Sequence, residues 1–207
     1  MRDVPADRVA ALAVAIVLLA APPAARADEL DPTVAASRAY FAGERAQGAA
    51  WGVTGLSSLA IGAYAYSTGD DTARGFAYPF LAVGAIQLGA SVFSYISPPR
   101  RLRSYERAFA ADPDAARTKE HKRMKRVVFA FDALRVTYIS LMVVGSGLVI
   151  AGSRSDRDTL VGVGGGLAFQ SLAMLALDSA AEDRALRYLS SLSVTVTPTS
   201  AALSIRW

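Results

Sequence analysis

Beyond residue 48 the chain is built from long apolar runs separated by short polar breaks. Four runs, 49–67, 76–96, 127–152 and 159–177, come close to the roughly 20 residues that carry a helix across a bilayer. None alternates polar and apolar positions over its whole length, so the pattern predicts helices rather than barrel strands. The first run is the weakest, because glycine, serine and tyrosine dilute it.

Cap chemistry predicts helices longer than these runs. Asp31-Pro32 and Asp112-Pro113 each put an acceptor at the N-cap and a proline at the first helical position, where the missing N–H costs nothing. Ser155 with Asp158 reads as a capping-box variant that opens the last helix, and Gly69 and Gly152 read as C-terminal stops. Pro98-Pro99 is expected to interrupt the second helix just past its apolar part. A helix over 113–151 is about 58 Å long, against about 30 Å of hydrocarbon. After the prolines, Leu102, Tyr105 and Phe109 continue an apolar stripe at helical spacing. Four helical extensions are therefore expected to pack as a stalk on one face of the membrane, with only the turns near 68–74 and 153–158 on the other.

The fold expected is an all-α membrane protein: four long transmembrane helices within 28–190, forming two helical hairpins, with extramembrane extensions and a short C-terminal β-hairpin over 191–207. The β-hairpin is read from a change of period in the tail. Leu192, Val194 and Val196 alternate with polar residues, Pro198 and Ser200 mark a turn, and Ala201, Leu203, Ile205 and Trp207 alternate again. A shift of 83 residues lays Gly69 on Gly152, Arg74 on Arg157 and Gln87 on Gln170, while the two Asp-Pro starts align at 81. Duplication of one hairpin and coincidence in an alanine- and glycine-rich chain both account for these matches.

Ahead of the helices, Arg2 and Arg8 flank an apolar run from Val9 to Ala20, Pro22 and Pro23 break it, and Ala25-Arg26-Ala27 fits a small-x-small cleavage site. This predicts a signal peptide over 1–27, with an uncleaved anchor helix as the alternative. Composition agrees with a membrane chain. Of the 207 residues 53% are hydrophobic and 19% charged, where soluble domains carry about a quarter charged residues. The net charge of +4 is too mild to argue for nucleic acid as a partner. With no cysteine and one histidine, His121, the chain lacks thiol chemistry and Cys-based metal sites, and no residue set fits nucleophilic or acid–base catalysis. No catalytic, cofactor or metal residue is assigned, and the expectation is a non-enzymatic protein.

Several residues still stand out. Ala85 and Gly89, and Gly162 and Gly166, are small residues four apart, the spacing at which helices in lipid approach closely. The run 162–169, GVGGGLAF, lacks the spacing of a phosphate-binding loop, so close packing is the better account. Gln87 and Gln170 each lie about 20 Å along the helix from a turn arginine, deep in the bilayer; they could bond each other across a pseudo-twofold, or each take a nearby hydroxyl or carbonyl. Asp132 and Arg135 are intramembrane ionisable residues at i, i+3, with Asp178 as a candidate partner of Arg135. Lys119, Lys122, Arg123 and Arg126, at i, i+3, i+4 and i+7, form one basic stripe suited to anionic lipid headgroups.

Orientation cues conflict. Fifteen Lys and Arg fall on the stalk side and three on the turn side, which the positive-inside rule places in the cytoplasm. An export signal followed by four spans puts the stalk outside; a first run lying on the surface would reconcile the two. The more specific signal favours a multi-pass protein of the bacterial inner membrane with its stalk and C-terminus in the periplasm. The function expected is scaffolding or recruitment of a protein partner at the stalk or tail. The alternative is a small transporter or channel with a polar path through Gln87, Gln170, Asp132 and Arg135.

Overall fold

The computed structural model describes residues 31–194, which form four helices: α1 (Pro32–Thr68), α2 (Asp71–Ala111), α3 (Pro113–Arg154) and α4 (Asp158–Val194). The signal peptide expected at 1–27 and residues 195–207 of the tail lie outside the described residues. No strand occurs among the described residues, and the part of the expected β-hairpin that is described is helical. Leu192 lies in the last turns of α4, only 1% exposed, in the core of the stalk. Ala185, Tyr188, Leu189 and Leu192 recur at intervals of three and four, and burial of that helical face outweighs the short alternation that suggested a strand.

Capping defines the helix ends. The Asp31 carboxylate accepts from the Thr33 N–H (2.8 Å), Asp70 from Ala73 (2.9 Å) and Asp112 from Ala115 (3.0 Å), so each satisfies an orphan donor of α1, α2 or α3. Ser155 works in the opposite sense to the one expected. Its hydroxyl donates back to the Ala151 carbonyl (2.8 Å), closing α3 rather than opening α4. Asp156, at φ 51, makes the reversal, and Asp is among the few side chains that tolerate that conformation.

Pro98-Pro99 does not interrupt α2, which continues to Ala111. Each proline deletes one N–H and so releases the carbonyl four residues earlier. Packing on both sides holds the helix nonetheless: Leu102 and Tyr105 are drawn into the stalk, and Gly48 of α1 lies against the backbone at Ser94 and Tyr95.

The two hairpins, α1/α2 and α3/α4, pack antiparallel along their length, and α2 and α4 run parallel between them. Near the turns Gly75 meets Thr159; farther along, Phe80 stacks on Phe169 at 5.7 Å and Gln87 reaches Met174. Gly62 faces Leu81 in the first hairpin and Gly145 faces Gly164 in the second, residues related by the same shift of 83. This is the arrangement that two copies of one hairpin around a central axis would give.

The upper bundle is apolar outside and polar within. Ile86 and Phe129 are 68% and 73% exposed, with Val92, Val136, Val143, Ile150 and Leu172 also on the outside, whereas Gln87, Gln170, Ser58 and Ser171 are buried. On α3 the exposed belt from Phe129 to Ile150 is about 32 Å tall, against about 30 Å of hydrocarbon, and is interrupted at its stalk end by the exposed Asp132 and Arg135. Tyr64, Tyr66 and Tyr78 rim it at the turns and Tyr95 near the stalk, where amphipathic rings sit at a membrane interface. Three helices, α2, α3 and α4, are long and apolar enough to cross a membrane. Helix α1 falls short of the four spans expected, because its hydroxyls and glycines lower its hydropathy; Thr54, Ser67 and Thr68 spend those hydroxyls on carbonyls of their own helix.

Below the belt all four helices share a core. Tyr40 and Phe41 come from α1, Leu102 from α2, Met124 and Phe131 from α3, and Tyr188 and Leu192 from α4, with Tyr40 stacked on Tyr188 at 4.6 Å. Arg38–Glu106 (2.7 Å) and Arg117–Asp31 (3.2 Å) tie α2 and α3 to α1 at the surface, each worth about 0.2–1 kcal/mol.

Candidate functional site at the junction of belt and stalk

Within the belt, packing depends on glycine, but only partly on the glycines the spacing suggested. A Cβ on Gly162 would meet the Phe76 nitrogen at 2.7 Å, and one on Gly166 the Phe76 carbonyl at 2.9 Å, so both press α4 onto α2. Ala85 and Gly89 are exposed, and a Cβ on Gly89 would meet nothing. The closest approach of α1 to α2 uses Gly55 and Gly84 instead, and that of α3 to α4 uses Gly145 and Gly164, reciprocal pairs whose backbones touch. Contacting pairs on different helices have no sequence spacing to reveal them. Gln87 donates to the Met174 thioether (2.9 Å) and Gln170 to the Ser58 hydroxyl (3.0 Å), so each amide bonds its own neighbour rather than the other.

The ionisable residues lie at the stalk end. Arg135 pairs with Glu182 of α4 and with Asp132 (3.5 Å), not with Asp178, which accepts from the Tyr138 hydroxyl at 2.8 Å. Asp132 and Arg135 are on the outer surface. Lys119, Lys122 and Arg126 are exposed as the stripe required, but Arg123 has turned inward. It grips Glu120 with two bonds (2.8 and 2.6 Å) and lies over Tyr40 and Phe41, while Glu120 also accepts from Tyr188 (3.2 Å). Burial pushes the Tyr40 and Tyr188 hydroxyls above the usual tyrosine range. Burial alone would lower Arg123, but the bonds and charge of Glu120 outweigh it, and the guanidinium stays charged. Glu120 shares a helical face with Arg123, a pairing visible in the sequence at i, i+3.

Between stalk core and belt all four helices diverge around a cavity of about 190 Å³. Helix α1 contributes Tyr40, Glu44, Gln47 and Trp51; α2 contributes Phe93, Ser94, Ser97, Pro98 and Arg101; α3 contributes Val127 and Phe131; α4 contributes Ala181 and Arg184. Pro98 leaves the Ser94 carbonyl without its helical N–H partner. Glu44 accepts from the Tyr40 hydroxyl through one oxygen (2.8 Å), and Arg184 donates to the Gln47 side-chain oxygen. The other Glu44 oxygen, the Trp51 indole N–H and the Arg184 Nε are buried without a partner among the described residues. Burial lowers the Arg184 guanidinium below its ordinary value, and the opposing influence of the nearby Tyr40 and Glu44 does not offset it. Nothing in the linear spacing of Glu44, Trp51, Arg101 and Arg184 announces this cluster, which exists only once the hairpins pack.

No family model, curated protein or solved structure matches the chain.

Proposed function

We propose that the chain is a non-enzymatic scaffold of the bacterial inner membrane that recruits a protein partner through its stalk. The observation that carries this reading is the division of the bundle. The belt is closed by backbone contacts at Gly55–Gly84, Gly145–Gly164 and Gly162–Phe76, while the stalk has its own four-helix core and an exposed basic stripe of Lys119, Lys122 and Arg126. A transport path would need Gln87, Gln170, Asp132 and Arg135 in one line; the two amides bond at different helix seams and the ion pair lies on the outer surface. The close seating of α1 on α2 through Gly48, Gly55 and Gly62 supports four spans, since α1 then lies at the depth of α2. With the signal peptide at 1–27, four spans favour a periplasmic stalk.

Photo-crosslinking tests this. A benzophenone amino acid at Lys119 should give a discrete adduct in intact cells, lost when Lys122 and Arg126 are changed to Glu. Purified protein in liposomes should leave ion flux at the level of empty vesicles. Flux above that level that disappears in Gln87→Leu would establish the transporter reading instead.

A further inference from the structure

We propose that the junction cavity binds a phosphate ester that carries an amine, as in a phosphoethanolamine group, with Arg184 and Arg101 on the phosphate and Glu44 on the ammonium. A cavity of about 190 Å³ is many times the space one ordered water requires, so it accepts a polyatomic group. Its wall offers charges of both signs that are not paired with one another. Neither arginine forms an ion pair with Glu44 or any other carboxylate among the described residues. Buried polar atoms are normally satisfied, yet three on residues of this wall, Glu44, Trp51 and Arg184, have no partner among the described residues.

The unmet valences sort by sign. Arg184 Nε and the Trp51 N–H donate, which suits phosphate oxygens, and a guanidinium matches phosphate in planar, paired fashion. The second Glu44 oxygen accepts, which suits an ammonium. Trp51 and Phe131 add aromatic rings to the wall, a setting that suits a cation. A simple anion would leave Glu44 repelling it; a simple cation would leave two arginines doing the same. The depth fits a headgroup as well. On α2 the exposed belt ends at Ile96 and Arg100 and Arg101 follow; on α3 Arg126 precedes Phe129. The same chemistry could come from a lipid headgroup entering sideways or from a free phosphoethanolamine. Occupancy of the cavity is independent of whether the stalk recruits a partner.

Trp51 reports on the cavity, because Trp207→Phe leaves it the single tryptophan. Its emission would be followed in detergent while short-chain phosphatidylethanolamine, short-chain phosphatidylglycerol, free phosphoethanolamine and inorganic phosphate are titrated separately. Phosphatidylethanolamine should give a saturable change at about tenfold lower concentration than phosphatidylglycerol, the ratio one ion pair of modest strength provides. Glu44→Gln should erase that preference, whereas Arg184→Gln should weaken both lipids by about tenfold or more. Arg101→Gln, at an exposed position, should weaken both in the same direction and decides the matter if Arg184→Gln fails to fold. Binding of free phosphoethanolamine as tightly as the lipid assigns the site to a soluble ligand, and binding of the lipid alone assigns it to a headgroup. No saturable change, equal response to the two lipids, or binding indifferent to the arginine variants overturns the proposal.

Discussion

Gly162 and Gly89 both lie on apolar helices, and their environments make opposite demands. Where a helical glycine faces open space, alanine stabilises by up to about 1 kcal/mol. Gly89 is such a site, so Gly89→Ala should leave the melting temperature in detergent unchanged or raise it. At Gly162 the added methyl would run into the backbone of α2 at Thr72 and Phe76, neither of which is a side chain that can swing aside. Gly162→Ala should cost about 1–3 kcal/mol, the usual range for overpacking, and the same thermal melt separates the two variants. Arg123 and Lys122 form a second contrast between neighbours. Removing Arg123 strands the Glu120 carboxylate, 9% exposed, against Tyr188. Arg123→Met should therefore destabilise by about 2–4 kcal/mol, and adding Glu120→Leu should recover most of that loss. Lys122→Met, on the solvent side, should stay within about 0.5 kcal/mol. The i, i+3, i+4, i+7 pattern of basic residues was sound as a helical face, but a face also has edges. The edge residue with a carboxylate three positions back and aromatic rings opposite turns inward.

At the scale of the helix, ends were more legible than interiors. Asp-Pro at both starts acts as its chemistry requires, because cap and proline need only local geometry. Asp31→Ala should cost about 1 kcal/mol, and Asp31→Asn less, since an amide can still accept from Thr33. Asp31 also carries a pH signature. Burial raises its carboxyl, but the Thr33 bonds and the Arg117 charge outweigh burial and hold it below its ordinary 3.8. A carboxyl lowered in the folded state stabilises fully above that value and loses the contribution as pH falls below it. The advantage of wild type over Asp31→Asn should accordingly be present in melts at neutral pH and vanish under strongly acid conditions. Interiors misled for a different reason. Pro98-Pro99 does remove hydrogen bonds, but the packing of Leu102 and Tyr105 beyond it, which depends on three other helices, holds α2 together. Leu192 belongs to two periods at once, and only its burial against Tyr188 and Met124 decides for the helix.

At the scale of the whole molecule, the sequence conveys a bundle with an apolar belt and a stalk, because both follow from where apolar runs end relative to helix caps. It does not convey the cavity, whose walls come from four helices and whose residues run from Tyr40 to Arg184, more than two thirds of the chain. Orientation is the property on which the two cues divide, and the packing of α1 bears on it. The positive-inside count can be reconciled with a cleaved signal only if the first run lies on the surface, leaving α2 to enter alone. Gly48, Gly55 and Gly62 instead seat α1 on α2 from the stalk junction nearly to the turn, so extracting it would expose Gln87 and the Gly84 backbone to lipid. If α1 spans as well and the signal is cleaved, as proposed, stalk and cleavage site fall on the same side. Because the chain has no cysteine, single introduced thiols report position without background. Thr118→Cys on the exposed face of the stalk should react in intact cells with a maleimide that passes the outer but not the inner membrane. Thr68→Cys, exposed at the opposite turn, should react only after lysis. The reverse pattern would put the basic stripe in the cytoplasm, where anionic lipid attracts it by about 1 kcal/mol per charge, and the search for a stalk partner would move there with it.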